Sequence, residues 1–184
     1  RNLDELRVRT RQVMVRHRRS EVALRLPQRL AETVLVPPDS DERDLYADVV
    51  ERVRVHARDA TPARGMALRS VSRLAGSTPA AAAPTLAKLG WTDLAARAEA
   101  ITDPAKVRLL VRKLGEHTAN GEKVLVFTAF RKTLDTVAES VRAAGIDATV
   151  YDGGLSRAEK ERVIGAFRGA SSFVLEALSR LPGH

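Results

Sequence analysis

Two short polar segments, each directly after an apolar stretch, carry residue types that bind phosphate. Thr128 and Arg131 belong to the first, and Asp152, Gly153 and Gly154 form the second. A hydroxyl, unobstructed glycine N–H groups and a guanidinium at a helix start can all donate hydrogen bonds to an anion. The two segments therefore predict contacts with neighbouring phosphates of one strand. The spacing leaves open the alternative of two ordinary turns, in which glycine serves a positive φ angle.

A parallel sheet would place these segments side by side. Residues 123–128 form an unbroken apolar run that ends in a hydroxyl, which is typical of a strand buried on both faces. Ligands bind beyond the carboxyl ends of parallel strands, and both polar segments follow a predicted strand. The strand–helix–strand–helix order predicts an α/β fold, with strands over residues 123–128 and 148–151 and helices over residues 131–144 and 156–167.

The preceding part of the chain is predicted to be mostly helical. Asp39 begins an amphipathic helix, with Glu42 three residues later as its capping-box partner. The stretch 76–84, rich in Ala and Pro, is interpreted as a flexible surface loop. The apolar spacing predicts further helices over residues 3–18, 64–75, 92–100 and 105–118, and a short strand over residues 31–36.

Positive charge is concentrated at the N-terminus. The 184 residues carry 31 Lys and Arg against 23 Asp and Glu, a net charge of +8. Residues 1–30 hold nine of the arginines and three acidic residues. Concentrated Arg attracts polyanions such as a phosphate backbone. Because Arg outnumbers Lys 25 to 6 over the whole chain, a solvated Arg-rich helix is the alternative.

The composition excludes several classes of site. The chain has no Cys, which excludes disulfides, thiolate metal sites and cysteine nucleophiles and fits a cytoplasmic protein. It has no apolar run of about 18 residues, so no membrane partner is expected. The four His residues are not spaced as metal ligands, and no Gly-rich loop followed by Lys and Ser or Thr is present. We therefore predict neither a catalytic residue nor a metal site in this chain.

Several strings resemble, in their order, a known family. Lys123–Arg131 resembles motif IV of the SWI/SNF-type helicase-like ATPases, in helicase superfamily two, and Tyr151–Arg162 resembles the block that follows it. Val13–Arg19 and Leu45-Tyr46 are similar to the segment that joins the two RecA-like lobes of that family. Pro104–Lys106 is similar to the entry of the second lobe. The resemblance covers the chain nearly up to its tail.

The resemblance implies a helical inter-lobe segment over residues 1–103 and the first half of a helicase C-terminal, RecA-like lobe of the P-loop NTPase type over residues 104–170. Residues 171–184 depart from the family pattern, which predicts an atypical tail or a truncation. The chain is thus expected to be a fragment of an ATP-dependent DNA translocase or remodeller. Its implied partners are duplex DNA and the missing N-terminal ATPase lobe. In the parent protein, ATP and Mg²⁺ would bind between the lobes.

The resemblance also implies which residues touch the DNA backbone. They are Thr128 and Arg131 in motif IV, Gly153 and Gly154 in the next block, and Arg16, Arg18 and Arg19 in the basic cluster of the linker. Such contacts position a protein on nucleic acid without reading its sequence. The residues themselves leave two non-enzymatic alternatives open. One is a stand-alone basic α/β module that binds nucleic acid, and the other is a helical protein whose basic N-terminal helix docks an acidic partner.

We expect the purified chain not to hydrolyse ATP by itself. Phosphoryl transfer needs a phosphate-binding loop, an acidic metal ligand and a charge-stabilising Arg around one γ-phosphate. The loop is absent from this sequence, and so are an Asp-Glu box after a buried strand and the family's late arginine fingers. Phosphate release measured with ATP, Mg²⁺ and duplex DNA should match that of a heat-inactivated sample, and turnover above that background would contradict the prediction.

Overall fold

The computed structural model describes residues 30–58, 61–169 and the backbone of 173–178, together with Glu5 and Arg9. The chain falls into two units, Arg1–Leu35 and Val36–His184. In the first unit, Glu5 and Arg9 are helical and form an ion pair of 2.8 Å, as residues four apart on one helix face can. The rest of the helix predicted over residues 3–18 lies outside the described residues.

The short strand predicted over residues 31–36 is wrong. These residues have no regular secondary structure, and the side chains of Val34 and Leu35 are exposed. An isolated strand is not stable, because its backbone groups need a partner strand. No strand among the described residues pairs with this segment.

Helices dominate the residues before the sheet, as predicted. They are α1 (Ser40–His56), α2 (Pro62–Ser77), α3 (Pro79–Lys88), α4 (Thr92–Ala100) and α5 (Ala105–Ala119). The surface loop predicted over residues 76–84 is wrong, because most of it belongs to α3. Pro79 stands at the first helical position, where its missing N–H costs nothing, and the following Ala residues favour a helix. Ala81, Ala82 and Ala83 are buried.

The apolar faces of α1–α4 enclose one hydrophobic core. Trp91 lies at its edge, between α3 and α4, and is almost fully buried. A core built from small and branched side chains at helical spacing is what the sequence predicts for an aromatic-poor chain. The larger members of this core are Leu45, Val49, Leu68, Val71, Leu86, Trp91 and Leu94.

A hydrogen-bonded ion pair joins α1 to α4 at the surface of this core. Arg52 of α1 donates two hydrogen bonds to Asp93 of α4, at 2.7 and 2.8 Å. This hydrogen bonding lowers the pKa of Asp93 to about 2. The Arg52 guanidinium also lies 5.8 Å from the centroid of the Trp91 ring, within the range of a cation–π contact.

A parallel three-stranded sheet follows the helices. Its elements are β1 (Lys123–Thr128), α6 (Arg131–Ala143), β2 (Ala148–Tyr151), α7 (Arg157–Gly169) and β3 (Phe173–Leu178). The strand order is β1-β3-β2, so β3, which lies in the tail that was expected to be atypical, is the central strand. Right-handed crossovers place α6 and α7 on opposite faces of such a sheet. A second core joins α5, β1 and α6 through Val107, Leu114, Val126, Val137 and Val141.

The prediction that β1 is buried on both faces is wrong. Val126 is buried in the second core, whereas Leu125 is 47% and Phe127 is 66% exposed. Alternate side chains of a strand point to opposite faces, so one face of β1 is open to solvent. The reason is that α7 packs on β2 and β3, and it reaches β1 near its first residue, where the Lys123 ammonium lies 5.7 Å from the Phe167 ring.

Polar contacts connect the helical part to the sheet. The Glu42 carboxylate accepts a hydrogen bond from the Asp39 N–H (3.1 Å), which confirms the predicted capping box, and another from the Ala105 N–H (3.0 Å) at the start of α5. Lys106 donates to the Gly76 carbonyl at 2.6 Å. These contacts set the position of α5 relative to α1 and α2.

Among the described residues, no helix has the length and hydropathy of a membrane span.

Replacing Glu42 with Ala is expected to lower the free energy of unfolding by about 1 to 2 kcal/mol, because two helix starts lose an acceptor for a backbone N–H. Glu51→Ala, on the exposed side of the same helix, is the matched control, since Glu51 pairs only with the exposed Arg54. Urea unfolding followed by circular dichroism measures both variants. Equal stabilities would contradict the role assigned to Glu42.

Candidate functional site

Both polar segments singled out in the sequence lie at one edge of the sheet. All strand pairs are parallel, so the carboxyl ends of β1, β3 and β2 meet there. The β1–α6 corner contains Thr128 and Arg131, and the β2–α7 corner contains Asp152, Gly153 and Gly154. Because β3 separates β1 from β2, the two corners do not lie on neighbouring strands, contrary to the expectation from the sequence. They face each other across the end of β3.

One ion pair joins the two corners. Arg131, at the start of α6, forms a short ion pair through Nη1 with the Asp152 carboxylate, and its Nε donates to Asp135 at 3.1 Å. The Asp152 side chain is only 7% exposed, whereas that of Arg131 is 59% exposed. A buried carboxylate requires such a partner, because its charge is costly to leave unpaired. The pair therefore fixes the distance between the corners.

The glycine turn of the second corner is shaped by the same carboxylate. Asp152 Oδ1 accepts a hydrogen bond from the Gly154 N–H at 2.6 Å. A Cβ atom on residue 154 would lie 3.0 Å from that oxygen, which explains why glycine stands there. Neither Gly153 nor Gly154 has a positive φ, so the alternative explanation through left-handed backbone is wrong. Apart from its two chain neighbours, no described residue has an atom within 4 Å of the Cβ position of Gly153, which leaves room for a ligand to approach its backbone.

The helix that follows this corner begins with a capping box formed by Ser156 and Glu159. The Ser156 N–H donates to the Glu159 carboxylate at 2.8 Å, and the Glu159 N–H donates to the Ser156 hydroxyl at 3.3 Å. Hydrogen bonds from Ser156 lower the pKa of Glu159 below its ordinary value. The negative charge therefore stays at the N-terminus of α7, where it is favoured by the helix dipole.

The phosphate contact of the Thr128 hydroxyl stays a prediction. Its oxygen is buried and has no hydrogen-bond partner among the described residues. A hydroxyl that is closed off from solvent does not meet a phosphate at the surface without a local rearrangement. Ala129 and Lys132 of this corner are exposed, and Lys132 forms no ion pair with any described residue.

Charges at the corners nearly cancel. Arg131 is shared by Asp135 and Asp152, so its charge is neutralised, whereas Lys132 beside it is exposed. Arg73 of α2 adds a further positive charge, because its guanidinium lies 5.9 Å from the centroid of the Phe130 ring at the start of α6. Arg73 was not among the phosphate-contacting residues predicted from the sequence. The sequence pattern that points to it is the presence of three Arg residues and no acidic residue in α2.

Hydroxyl groups hold the first corner against the helical part, and no sequence pattern indicated these contacts. The Thr133 hydroxyl lies 2.8 Å from that of Ser77 and 3.1 Å from that of Thr78, and both distances are hydrogen bonds. Thr78 and Thr133 are buried. Ser77 and Thr78 fall in the stretch interpreted as a loop, so their contact with α6 was hidden. The predicted basic cluster of Arg16, Arg18 and Arg19 lies outside the described residues.

The sequence of the sheet region matches a known family. Residues 105–179 match the family model of the helicase conserved C-terminal domain. This part of the chain is therefore similar to helicase C-terminal domains. The resemblance to helicase superfamily two, drawn above from the motifs, is confirmed, and so is the α/β, RecA-like fold.

One curated protein is similar to the chain in sequence, and two solved structures are similar to it in fold. The chain is 26% identical over 170 residues to YqhH, an uncharacterized ATP-dependent helicase of Bacillus subtilis (strain 168), covering 85% of this chain and 30% of that protein. The helicase domain of Hef from Pyrococcus furiosus has a similar fold, with a TM-score of 0.59 and 14% identity over 75% of this chain and 43% of that one. The C-terminal domain of a Sulfolobus solfataricus SWI2/SNF2 ATPase has a TM-score of 0.55 and 15% identity, covering 78% and 60%.

The cofactors of an ATP-dependent family do not fit the residues of this chain alone. The sequence has no phosphate-binding loop of closely spaced Gly followed by Lys and Ser or Thr. Within the described ranges, no three Asp, Glu or His side chains lie together as metal ligands do. No reaction step through ATP or Mg²⁺ is therefore assigned to these residues.

Replacing Asp152 with Ala is expected to lower the free energy of unfolding by about 2 kcal/mol, because Arg131 and the Gly154 N–H both lose a charged acceptor. Asp147→Ala is the matched control, since Asp147 is exposed, stands just before the same strand and forms no ion pair with described residues. Denaturant unfolding measures both variants. If the two replacements change stability equally and by less than about 0.5 kcal/mol, the corners are not held by Asp152.

Proposed function

We propose that this chain forms the nucleic-acid-contacting part of the second lobe of an ATP-dependent, helicase-like DNA translocase or remodeller. The observation that carries the proposal is the pair of βα corners joined by Arg131 and Asp152 at the carboxyl edge of a parallel sheet. That edge is where ligands bind in open α/β sheets. The helicase C-terminal domain over residues 105–179 supports the same assignment.

The chain spans 30% of the length of its Bacillus relative, so ATP use by the whole protein is part of the proposal. That relative is named an ATP-dependent helicase, and one structural neighbour belongs to a SWI2/SNF2 ATPase. A full-length protein of this type would bind ATP and Mg²⁺ with a further ATPase lobe. This chain would contribute one wall of the cleft and its contacts with duplex DNA.

Backbone donors and exposed cations are the groups that would hold the strand. At the first corner these are the N–H groups that begin α6 and the ammonium of Lys132, and at the second corner the open backbone of Gly153. Arg131 keeps these donors at a fixed separation through Asp152, and its remaining N–H groups stay exposed. Contacts of this kind neutralise phosphates and do not distinguish bases.

Binding of the chain to a random-sequence duplex should weaken steeply as the salt concentration rises. Each neutralised phosphate contributes about −0.9 to the slope of log affinity against log salt concentration. Lys132→Gln should make that slope shallower by about one. Arg142→Gln, near the opposite end of the same helix, should leave it unchanged, because Arg142 is exposed and far from the corner along α6. Fluorescence anisotropy titrations provide the measurement, and an affinity that does not vary with salt would refute the proposal.

A further inference from the structure

A groove lies beside the first corner, between the helical part and the start of α6. It has a volume of about 410 Å³ and opens to solvent. That volume is in the range of sites that accept small organic groups. The lining residues come from α1, α2 and the first corner: Tyr46, Ser72, Arg73, Gly76, Ser77 and Phe130.

The lining combines aromatic rings, hydroxyls and one cation, and it includes no acidic side chain. Tyr46 is 44% exposed, although most of the α1 face that carries Leu45 and Val49 is buried. Arg73 lies near the Phe130 ring and forms no ion pair with any described residue. A positive charge without a carboxylate, next to exposed aromatic surface, favours a ligand that is both anionic and planar.

The groove is held in a fixed relation to the corner. Phe130 lines the groove and directly precedes Arg131, which binds Asp152 of the second corner. Ser77 also lines it, and its hydroxyl is hydrogen-bonded to Thr133 in the first turn of α6. A nucleic-acid strand that contacts the corners therefore lies close to the groove, because Phe130 is the residue next to Arg131.

We propose that this groove takes an unstacked base of single-stranded nucleic acid, with Tyr46 as its stacking surface and Arg73 at the adjoining phosphate. The inference rests on the proposed function, which brings the strand to the corner. A base inside a duplex is already stacked on its neighbours, so a base that enters the groove comes from an unpaired stretch. Stacking on an aromatic side chain depends little on which base is present.

The experiment compares two labelled strands of about ten nucleotides, an oligothymidine and an abasic strand of the same length and charge. The full 184-residue chain should bind the oligothymidine about tenfold more tightly, because only that strand has bases to stack. Tyr46→Ala should abolish most of this preference, and Tyr46→Phe should retain it. Arg73→Gln should weaken the binding of both strands, whereas Arg142→Gln should change neither affinity.

The outcomes separate this inference from the function on which it rests. Equal affinity for the two strands, or a preference that survives Tyr46→Ala, overturns the base site and leaves the backbone contacts standing. Absence of binding to either strand overturns the base site, and the duplex titration then decides the proposed function separately. If polyglutamate of equal charge competes as well as the oligothymidine, the groove binds acidic peptides instead and the inference fails. The comparison of the two strands needs no variant, and Arg73 is exposed, so loss of folding does not obscure the result.

Discussion

The carboxylate of Asp152 determines the geometry of the sheet edge at which the two corners lie. It is buried at the end of β2, and it is satisfied by the Arg131 guanidinium on one side and by the Gly154 N–H on the other. Removing a partner from a buried charge costs more than the charge pair contributes to stability, so this arrangement is strongly specified. The corner after β1 and the corner after β2 consequently move as one unit, although β3 separates their strands.

The Arg131–Asp152 ion pair also limits the positive charge that this sheet edge presents to an anion. Arg131 serves as a structural cation, because Asp135 and Asp152 share its charge. Attraction for a polyanion must therefore come from neighbouring cations such as Lys132 and Arg73 and from backbone N–H groups. A phosphate held by backbone groups at a helix start needs no free guanidinium, so a neutral corner is compatible with nucleic-acid contact.

The helical part and the sheet have separate hydrophobic cores, joined by polar contacts. Glu42 caps both α1 and α5, and Thr133 hydrogen-bonds to Ser77 and Thr78 across the junction. Hydrogen bonds are directional, so they fix an orientation that apolar packing alone would leave adjustable. The groove next to Phe130 exists because this junction holds α2 against the start of α6.

Local signals in the sequence were sufficient for most elements. The capping boxes at Asp39 and Ser156, the helix end at Gly145 and the apolar run of β1 depend on neighbouring residues, so they can be read without the fold. The Pro and Ala residues of 76–84 were interpreted as a loop, but most of this stretch is helical. Pro79 is tolerated at a first helical position, and tertiary packing buries the Ala side chains. The strand predicted over residues 31–36 failed because a strand depends on a partner elsewhere.

The sequence by itself determined the positions of the two polar corners and the family that their motifs resemble. Only the tertiary structure decided how those corners are built. It placed β3 between their strands, buried the Thr128 hydroxyl, paired Arg131 with Asp152 and brought Arg73 and Tyr46 beside Phe130. The physical reason is that residue types and short spacings are local properties, whereas burial and the pairing of charges depend on which distant segments meet when the chain folds.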